Sequence, residues 1–423
     1  MRKIYHAPAI VLTLALTLVA PVSAQDLVIG KTIDSLLDYA RDSSPEYAAM
    51  RYEADAADER VTPAGALPDP KLRIEFQDIT KMGEQNATLN PSRVGSTKYT
   101  LMQDLPWYGK RDLKREIAQL DAEGAQGRAR GTWADLAARL KSAHAQLYYV
   151  NRSEQLTREI LDLMLRLEKI AQVRYAGGLA AQQDAIRAQV EQTGMRSELI
   201  ALENEQSQLR AKINGLLARP ARAKLAAPEV LRPIPSPAKL DYVELEDRVR
   251  ARNPLLFAEE ARIKSAEKTR DLTLRNRYPD FTVGVAPTQY QSALKEWEVM
   301  FEFNIPLQQS SRRAQERESE AMLSAARSRK DAASNQVLAD LAENLSAIEA
   351  ARRSEMLTTT DLLPQAELTF NSALAAYQNG KVDFATLLEA QKQIRQAKQN
   401  QIKAQAEAQI RLAEIEKILG EEL

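Results

Sequence analysis

Tyr377-Gln-Asn-Gly380 closes a long helical run, and a similar stretch, Tyr175-Ala-Gly-Gly178, closes another run 202 residues earlier. Glycine tolerates the positive φ of a sharp reversal, so both stretches predict a turn between two helices. Landmark prolines recur at similar distances, with offsets of 209, 209 and 200 residues: Pro45 with Pro254, Pro70 with Pro279, and Pro106 with Pro306. The sequence therefore predicts an internal duplication.

The duplication divides the chain into two repeats. We assign residues 25–220 to the first repeat and residues 241–423 to the second. Each has a short extended segment and a Pro-bounded turn, two strands and a helical hairpin. Residues 221–240 between the repeats are rich in proline, which is typical of an extended linker.

The helical hairpins, at about residues 111–217 and 311–419, make up most of the chain. Apolar residues recur with gaps of four and three, as in Leu136, Leu140 and Ala143. One narrow apolar seam per helix predicts coiled-coil packing on neighbouring helices. Four helix-weakening residues are interpreted as sites of tolerated bends or kinks: Gly124, Gly127, Gly131 and Pro364.

Four short segments alternate apolar with polar residues, which is the period of a β-strand. They lie at about residues 71–78, 97–105, 281–287 and 296–305. A small soluble sheet is the alternative, but the helices leave no broad apolar face to cover one. We therefore expect the apolar side chains to face lipid and Glu298 and Glu302 to face a lumen. The lipid-facing candidates are Leu72, Ile74, Phe76, Trp297, Val299, Phe301 and Phe303.

The N-terminus predicts export from the cytoplasm. Arg2 and Lys3 precede an apolar run that ends in Val22-Ser-Ala24, so residues 1–24 have the pattern of a cleaved secretory signal. An exported protein with membrane strands must close them into a barrel, because an open sheet edge cannot lie in lipid. Two chains would give eight strands and a filled barrel, whereas three would give twelve and room for a pore.

Composition excludes several function classes. Lys+Arg and Asp+Glu number 58 each, so no overall basic surface points to nucleic acid. The absence of cysteine excludes disulfides, thiolate metal sites and a lipid anchor on Cys. His144 is the only histidine of the predicted mature chain, and no nucleophile, phosphate-loop or zinc motif is present. We predict no enzyme activity, no cofactor, and no catalytic or metal-binding residue.

Three motifs make the chain resemble the TolC family of outer-membrane efflux channels over essentially its whole mature length. They are Leu105-Pro-Trp-Tyr-Gly-Lys-Arg111, Leu363-Pro-Gln-Ala-Glu367 and Ala376-Tyr-Gln-Asn-Gly-Lys-Val-Asp-Phe384. The first motif, with Leu67-Pro-Asp-Pro70 ahead of it, is similar to the heavy-metal branch that includes the CzcC and CusC channels.

The resemblance implies a mainly α, TolC-like fold that includes a membrane β-barrel. A homotrimer would form a twelve-stranded barrel in the outer membrane and a twelve-helix tunnel through the periplasm. The trimer would be a passive exit duct for heavy-metal cations, of the copper/silver or the cobalt/zinc/cadmium class. Its partners would be a periplasmic adaptor and an inner-membrane resistance-nodulation-division pump.

Other functions stay open at this point. A channel for multidrug efflux or type I protein secretion would have the same tube. A periplasmic adaptor, from another class, is also exported and helical, but it would carry one helical hairpin and not two.

The resemblance also implies that the two turns are periplasmic tips that close the tunnel. Val382 stands where the family has an Arg, and Thr386 where it has an acidic residue, whereas Tyr377 and Glu389 match. Lys381 is the nearest remaining cation, and we expect it to pair with Asp184. The tip and gate candidates are Tyr175, Gly178, Asp184, Tyr377, Gly380, Lys381, Asp383 and Glu389.

Overall fold

The computed structural model describes residues 29–84, 86–305 and 307–423. The predicted signal sequence lies outside the described residues. The first repeat contains α1 (Ile33–Ser43), α2 (Pro45–Glu59), α3 (Val61–Gly65), β1 (Lys71–Gln77), β2 (Ser96–Leu105), α4 (Lys110–Ala176) and α5 (Gln182–Leu216). The second contains α6 (Tyr242–Arg252), α7 (Pro254–Arg275), β3 (Phe281–Tyr290), β4 (Ala293–Phe303), α8 (Gln309–Leu357), α9 (Leu363–Gln378) and α10 (Phe384–Leu419).

The segments ahead of the strands form helices α1–α3 and α6–α7, which were not predicted from the sequence. Pro45 and Pro254 are the first residues of α2 and α7. Ser44 and Asn253 before them each accept a hydrogen bond from the third backbone amide of the helix, at 3.4 and 2.9 Å. Proline suits the first helical position, because its missing N–H would have no helical partner there. The recurring prolines therefore mark helix starts.

The strands of both repeats pair into one antiparallel sheet in the order β1-β2-β3-β4. The register places one residue of each strand in a single row: Leu72, Leu101, Val285 and Val299. These four apolar side chains share one face of the sheet and are 64, 55, 44 and 66% exposed. All the predicted lipid-facing residues belong to this face, since they alternate with the polar residues on β1 and β4.

The opposite face of the sheet is polar. Lys98 on β2 reaches across β3 to Glu298 on β4, at 2.6 Å between Nζ and Oε2. On the same face, Lys71 pairs with Asp104 at 2.7 Å. A sheet with one apolar and one charged face has the composition of a barrel wall between lipid and a polar interior.

The glycines of α4 allow a close approach between helices. α4 is helical over 67 residues, through all three glycines. A Cβ added at Gly127 would lie 3.0 Å from Cδ1 of Phe257 and 3.1 Å from Cβ of Ala258, both on α7. The interpretation of Gly127 as a bend therefore misses its role, because any side chain here would push α7 away.

The predicted interruption at Pro364 is present. Residues 358–362 form a π-helical turn, and α9 begins directly after it with Pro364 in its first turn. Proline cannot donate a backbone hydrogen bond and crowds the preceding turn, so the wider π-helical turn fits ahead of it. The first repeat has continuous α4 at the corresponding place.

Residues 221–240, predicted as an extended linker, are packed against the helices. The backbone of Leu225 forms a parallel bridge with Ile29, and both side chains are buried among α1, α4 and α5. Arg232 pairs at 3.0 Å with Glu416 of α10, which also bonds Lys141 of α4 at 2.7 Å. The linker therefore fastens the repeats together.

The long helices form a wall in the order α5, α4, α10 and then α8 with α9. α4 contacts both α5 and α10, and α10 contacts both α8 and α9. Exposed apolar residues lie on the outer helices of this wall: Ile186, Val190 and Ile200 on α5, and Met356, Leu357 and Leu368 on α8 and α9. Among the described helices, none has the length and apolar character needed to cross a bilayer.

Candidate functional site at the helix tips

The two helix reversals have the same backbone structure. Gly178 and Gly380 adopt φ of 70° and 72°. The amide after each glycine donates to a carbonyl five residues back, from Leu179 to Arg174 at 2.8 Å and from Lys381 to Ala376 at 2.9 Å. This is the glycine-terminated helix end that the sequence predicted. We call the two reversals the first turn and the second turn.

The two turns differ in the burial of their tyrosines. Tyr175 in the first turn is 49% exposed, whereas Tyr377 in the second is 2% exposed. Tyr377 packs at 5.3 Å, between ring centroids, against the fully buried Phe384 at the start of α10. Both rings belong to an apolar cluster that also contains Ala171 of α4 and Ala188 of α5, so the second turn packs on the first repeat.

Tyr377 is joined to the first repeat through Asp184. Its hydroxyl donates a hydrogen bond to Oδ2 of Asp184 near the start of α5, at 3.2 Å. Burial, together with the nearby Asp184 carboxylate, raises the pKa of Tyr377 to about 12. The phenol therefore stays protonated and can donate this bond at any physiological pH.

The expected Lys381–Asp184 pair does not form. Lys381 is exposed, and it makes no ion pair within the part of the chain that the structure describes. Asp184 accepts its bond from Tyr377 instead. Lys381 is the cation nearest in sequence to the position of the missing family Arg, but its side chain does not reach the Asp184 carboxylate.

Arg174 is the cation that the sequence analysis missed. It lies at the end of α4, with Cζ 5.1 Å from the centre of the Tyr377 ring. Its guanidinium donates to the carbonyl oxygen of Gln378 and, at 3.1 Å, to that of Leu179. It therefore links the first turn to the second. The sequence did carry a signal for this role: Arg174 is a basic residue in the last turn of a helix, where backbone carbonyls are free to accept hydrogen bonds.

Asp383 and Glu389 have other roles than Asp184. Asp383 caps α10 by accepting hydrogen bonds from the amide and hydroxyl of Thr386, at 2.9 and 2.6 Å, and these bonds lower the pKa of the Asp383 carboxyl. Glu389 is exposed in a groove between α5 and α10, beside the 2.8 Å pair of Lys392 with Glu191. Thr386, at the family's acidic position, thus serves the helix cap.

The tip arrangement can hold two hairpins together without a bound ion. Within the described ranges, no group of three or more His, Asp or Glu side chains could hold a metal ion. What the site offers is a polar contact between repeats, made by Tyr377, Asp184 and Arg174, which we call the latch. The fold therefore combines long helical hairpins, a sheet with one apolar and one charged face, and a polar contact between the repeats at the helix tips.

The chain belongs to the outer membrane efflux protein family, whose profile it matches over residues 36–219 and 245–421. It is 24% identical to the cobalt-zinc-cadmium resistance protein CzcC of Cupriavidus metallidurans over 413 residues, covering 96% of this chain and 93% of that protein.

Solved outer-membrane channels share the fold. The outer membrane protein VceC of Vibrio cholerae superposes with a TM-score of 0.77 at 15% identity, covering 92% of this chain and 96% of VceC. CusC superposes with a TM-score of 0.74 at 15% identity, covering 93% of each chain. The predicted family, the TolC-like fold class and the outer-membrane location are confirmed.

Proposed function

We propose that the protein is the outer-membrane duct of a tripartite efflux system for heavy-metal cations. The observation that carries this proposal is the relationship to a cobalt-zinc-cadmium resistance protein over nearly the full length of both chains. This relationship favours the cobalt, zinc and cadmium class over the copper and silver class, the two classes that the sequence left open. A periplasmic adaptor and an inner-membrane pump would be its partners.

Open edges in the sheet and in the helical wall support a homotrimer. β1 and β4 are the edge strands of the sheet, and each has backbone groups without a strand partner among the described residues. Such edges cannot lie in lipid, so β4 of one copy would pair with β1 of the next. Three copies close twelve strands, which gives a barrel wide enough for a water-filled bore.

The helical wall would close in the same order. α5 and α8 are the outer helices of the wall, and both carry exposed apolar residues. Placing α5 of one copy against α8 and α9 of the next would bury these residues, and three copies would form a ring of twelve helices. The same order of three copies would therefore close the sheet into a barrel and the helical wall into a ring.

A passive duct needs a bore that cations cross without being held. Selection of the ion would belong to the pump and adaptor, so the duct itself needs no catalytic group. Its own regulated element would be the latch, since breaking the Tyr377–Asp184 and Arg174–Gln378 hydrogen bonds would free the second turn from the first repeat. The protein would then be a transport duct and not an enzyme.

A metal-accumulation assay tests this function. The chain would be expressed with its adaptor and pump in cells that lack their own exit channel, and cellular cobalt, zinc and cadmium would be measured. We expect all three metals to fall, while Gly380→Val abolishes the effect because valine resists positive φ. Gly131→Ala in α4, where an added Cβ would make only an ordinary contact of 3.7 Å with Cβ of Pro254, is the control and keeps activity.

Two outcomes would overturn the proposal. Unchanged metal content together with export of organic drugs would assign the channel to multidrug efflux. Unchanged metal content together with appearance of a secreted protein in the medium would assign it to type I secretion.

A further inference from the structure

Basic side chains are concentrated where the helices meet the sheet. Three segments come together there: residues 106–116 after β2, residues 275–280 before β3, and residues 307–318 after β4. The pairing of Phe281 with both Leu105 and Phe303 brings them to one end of the sheet. They contain nine basic and five acidic side chains, in a chain with equal numbers overall. We call these three segments the basic band.

Most of the acidic side chains in the band already have partners. The ion pairs are Asp280 with Lys110 at 2.8 Å, Glu316 with Arg277 at 2.6 Å, Asp112 with Arg115 at 3.0 Å, and Glu116 with Lys268 at 2.7 Å. Four exposed cations of the band form no ion pair with any described residue: Lys114, Arg275, Arg313 and Arg317. The band therefore presents uncompensated positive charge to its surroundings.

Aromatic and apolar side chains separate these cations from the sheet. The rings of Trp107 and Tyr278 stack with centroids 5.3 Å apart, and Tyr108 beside them is 84% exposed. Ile305 and Leu307, after β4, are 70 and 81% exposed. Going away from the sheet, apolar residues give way to aromatic residues and then to cations, which is the order found across a membrane interface.

Two of the free cations line a groove. Arg313 and Arg317 lie one turn apart on α8, and the groove of about 340 Å³ beside them is completed by Arg270 and Leu274 of α7. The two carboxylates in this groove face other arginines, Glu316 at 2.6 Å from Arg277 and Glu320 at 3.9 Å from Arg270. Guanidinium groups bind phosphate oxygens in a two-pronged geometry. The groove therefore offers phosphate ligands next to one apolar side chain, Leu274.

We propose that the basic band binds anionic phospholipid headgroups of the leaflet at this end of the sheet, with Arg313 and Arg317 as the main phosphate contacts. The proposal rests on the proposed function, since the sheet must close into a barrel for the band to lie at a membrane surface. Charge complementarity selects the lipid: four unpaired cations favour phosphatidylglycerol over zwitterionic phosphatidylcholine. The exposed tyrosine and aliphatic residues would contact the upper acyl chains.

Lipid-dependent stabilisation tests the proposal. The full chain, purified in a neutral detergent, would be titrated with short-chain phosphatidylglycerol or phosphatidylcholine while its melting temperature is followed. We expect phosphatidylglycerol to raise the melting temperature more. In R313Q/R317Q the phosphatidylglycerol concentration for half of the effect should rise about 25-fold, at about 5-fold for each cation.

A charge-matched variant controls for the loss of two arginines. Arg166 and Arg329 are exposed on α4 and α8 away from the band and form no ion pair with described residues, so R166Q/R329Q should respond like the parent. Inorganic phosphate at equal concentration separates a lipid site from a free-anion site, and it should not reproduce the stabilisation.

Three results would overturn the proposal. One is equal stabilisation by both lipids, and another is an R313Q/R317Q response that matches the parent. The third is an unchanged lipid response combined with an altered anion-to-cation permeability ratio, which would place these arginines in the bore. Trimer size and membrane fractionation of the same preparations report separately on the proposed function.

Discussion

The first and second turns share a backbone but not their side-chain contacts. Gly178 and Gly380 have nearly the same φ, and matching hydrogen bonds close both turns. Tyr175 nevertheless lies half exposed, whereas Tyr377 is buried and bonded to Asp184. The turn depends on a local requirement, the positive φ of glycine, whereas the tyrosine contacts depend on the neighbouring hairpin. Both repeats therefore keep the backbone of the turn, whereas only the tyrosine of the second turn takes part in the latch.

Truncating the two tyrosines should give the largest difference in local stability between the two turns. Tyr377→Ala removes a buried ring between Phe384 and Asp184, and we expect a loss of about 3–5 kcal/mol of local stability. Tyr175→Ala removes a half-exposed ring and should change it by less than about 0.5 kcal/mol. Hydrogen exchange of the amides in α9 and α4 near each turn measures both values. Similar losses at both turns would contradict the difference in packing.

Replacing Arg174 should have the next largest effect. Arg174→Gln loses the contact with the Tyr377 ring and weakens hydrogen bonds to two carbonyls, a loss of about 2 kcal/mol. Exchange should rise in both turns, since Arg174 bonds both Leu179 and Gln378. Arg166→Gln, another exposed arginine of α4, is the control and should leave exchange unchanged. Protection lost in the first turn alone would show that Arg174 does not link the repeats.

Replacing each turn glycine by alanine should show whether positive φ costs both turns a similar amount of stability. Gly178→Ala and Gly380→Ala each place a side chain at positive φ, at a cost of about 1–2 kcal/mol. Gly380→Ala should cost more, because the new Cβ would lie 3.3 Å from Nη2 of Arg174, whereas nothing lies within 4 Å at Gly178. Thermal unfolding of the two variants gives the comparison, and a larger loss for Gly178→Ala would contradict it.

Two side chains at the second turn should lose their stabilising hydrogen bonds at opposite ends of the pH range. Tyr377 has a raised pKa, so its hydrogen bond to Asp184 contributes fully below pH 10 and is lost as the pH rises through about 12. Asp383 has a lowered pKa, so its cap contributes above about pH 3.8 and is lost as the pH falls through the lower folded value. Exchange of α9 and α10 amides against pH tests this, and Tyr377→Phe should remove the alkaline change only.

Much of the fold could be predicted from the sequence because its signals are local and repeated. Heptad spacing, alternating strands and the two turn glycines gave the hairpins and the sheet. β3 continues to Tyr290. Its predicted end at residue 287 was too early, because Pro287 and the polar residues after it interrupt the alternation of apolar and polar residues. Helices α2 and α7 were missed, because their starting prolines were used only as markers of the duplication.

The site was less predictable because its contacts join residues far apart in sequence. Arg174 and Tyr377 lie on different repeats, and neither the burial of Tyr377 nor its bond to Asp184 leaves a periodic signal. Lys381 is close to Gly380 in sequence, whereas Arg174 is about 200 residues away and reaches the second turn only because the two hairpins pack together. The tip glycines followed from backbone geometry, but the latch required the packing of one hairpin on the other.

Single-channel conductance in planar bilayers most directly tests the claim that the second turn holds the channel closed. Tyr377→Phe removes only the hydroxyl that bonds Asp184, and Tyr175→Phe makes the same change in the first turn. We predict that Tyr377→Phe raises the conductance or the open time while Tyr175→Phe behaves like the parent. Parent-like conductance from Tyr377→Phe, or an equal increase from both variants, would contradict a closing role for the Tyr377–Asp184 contact of the latch.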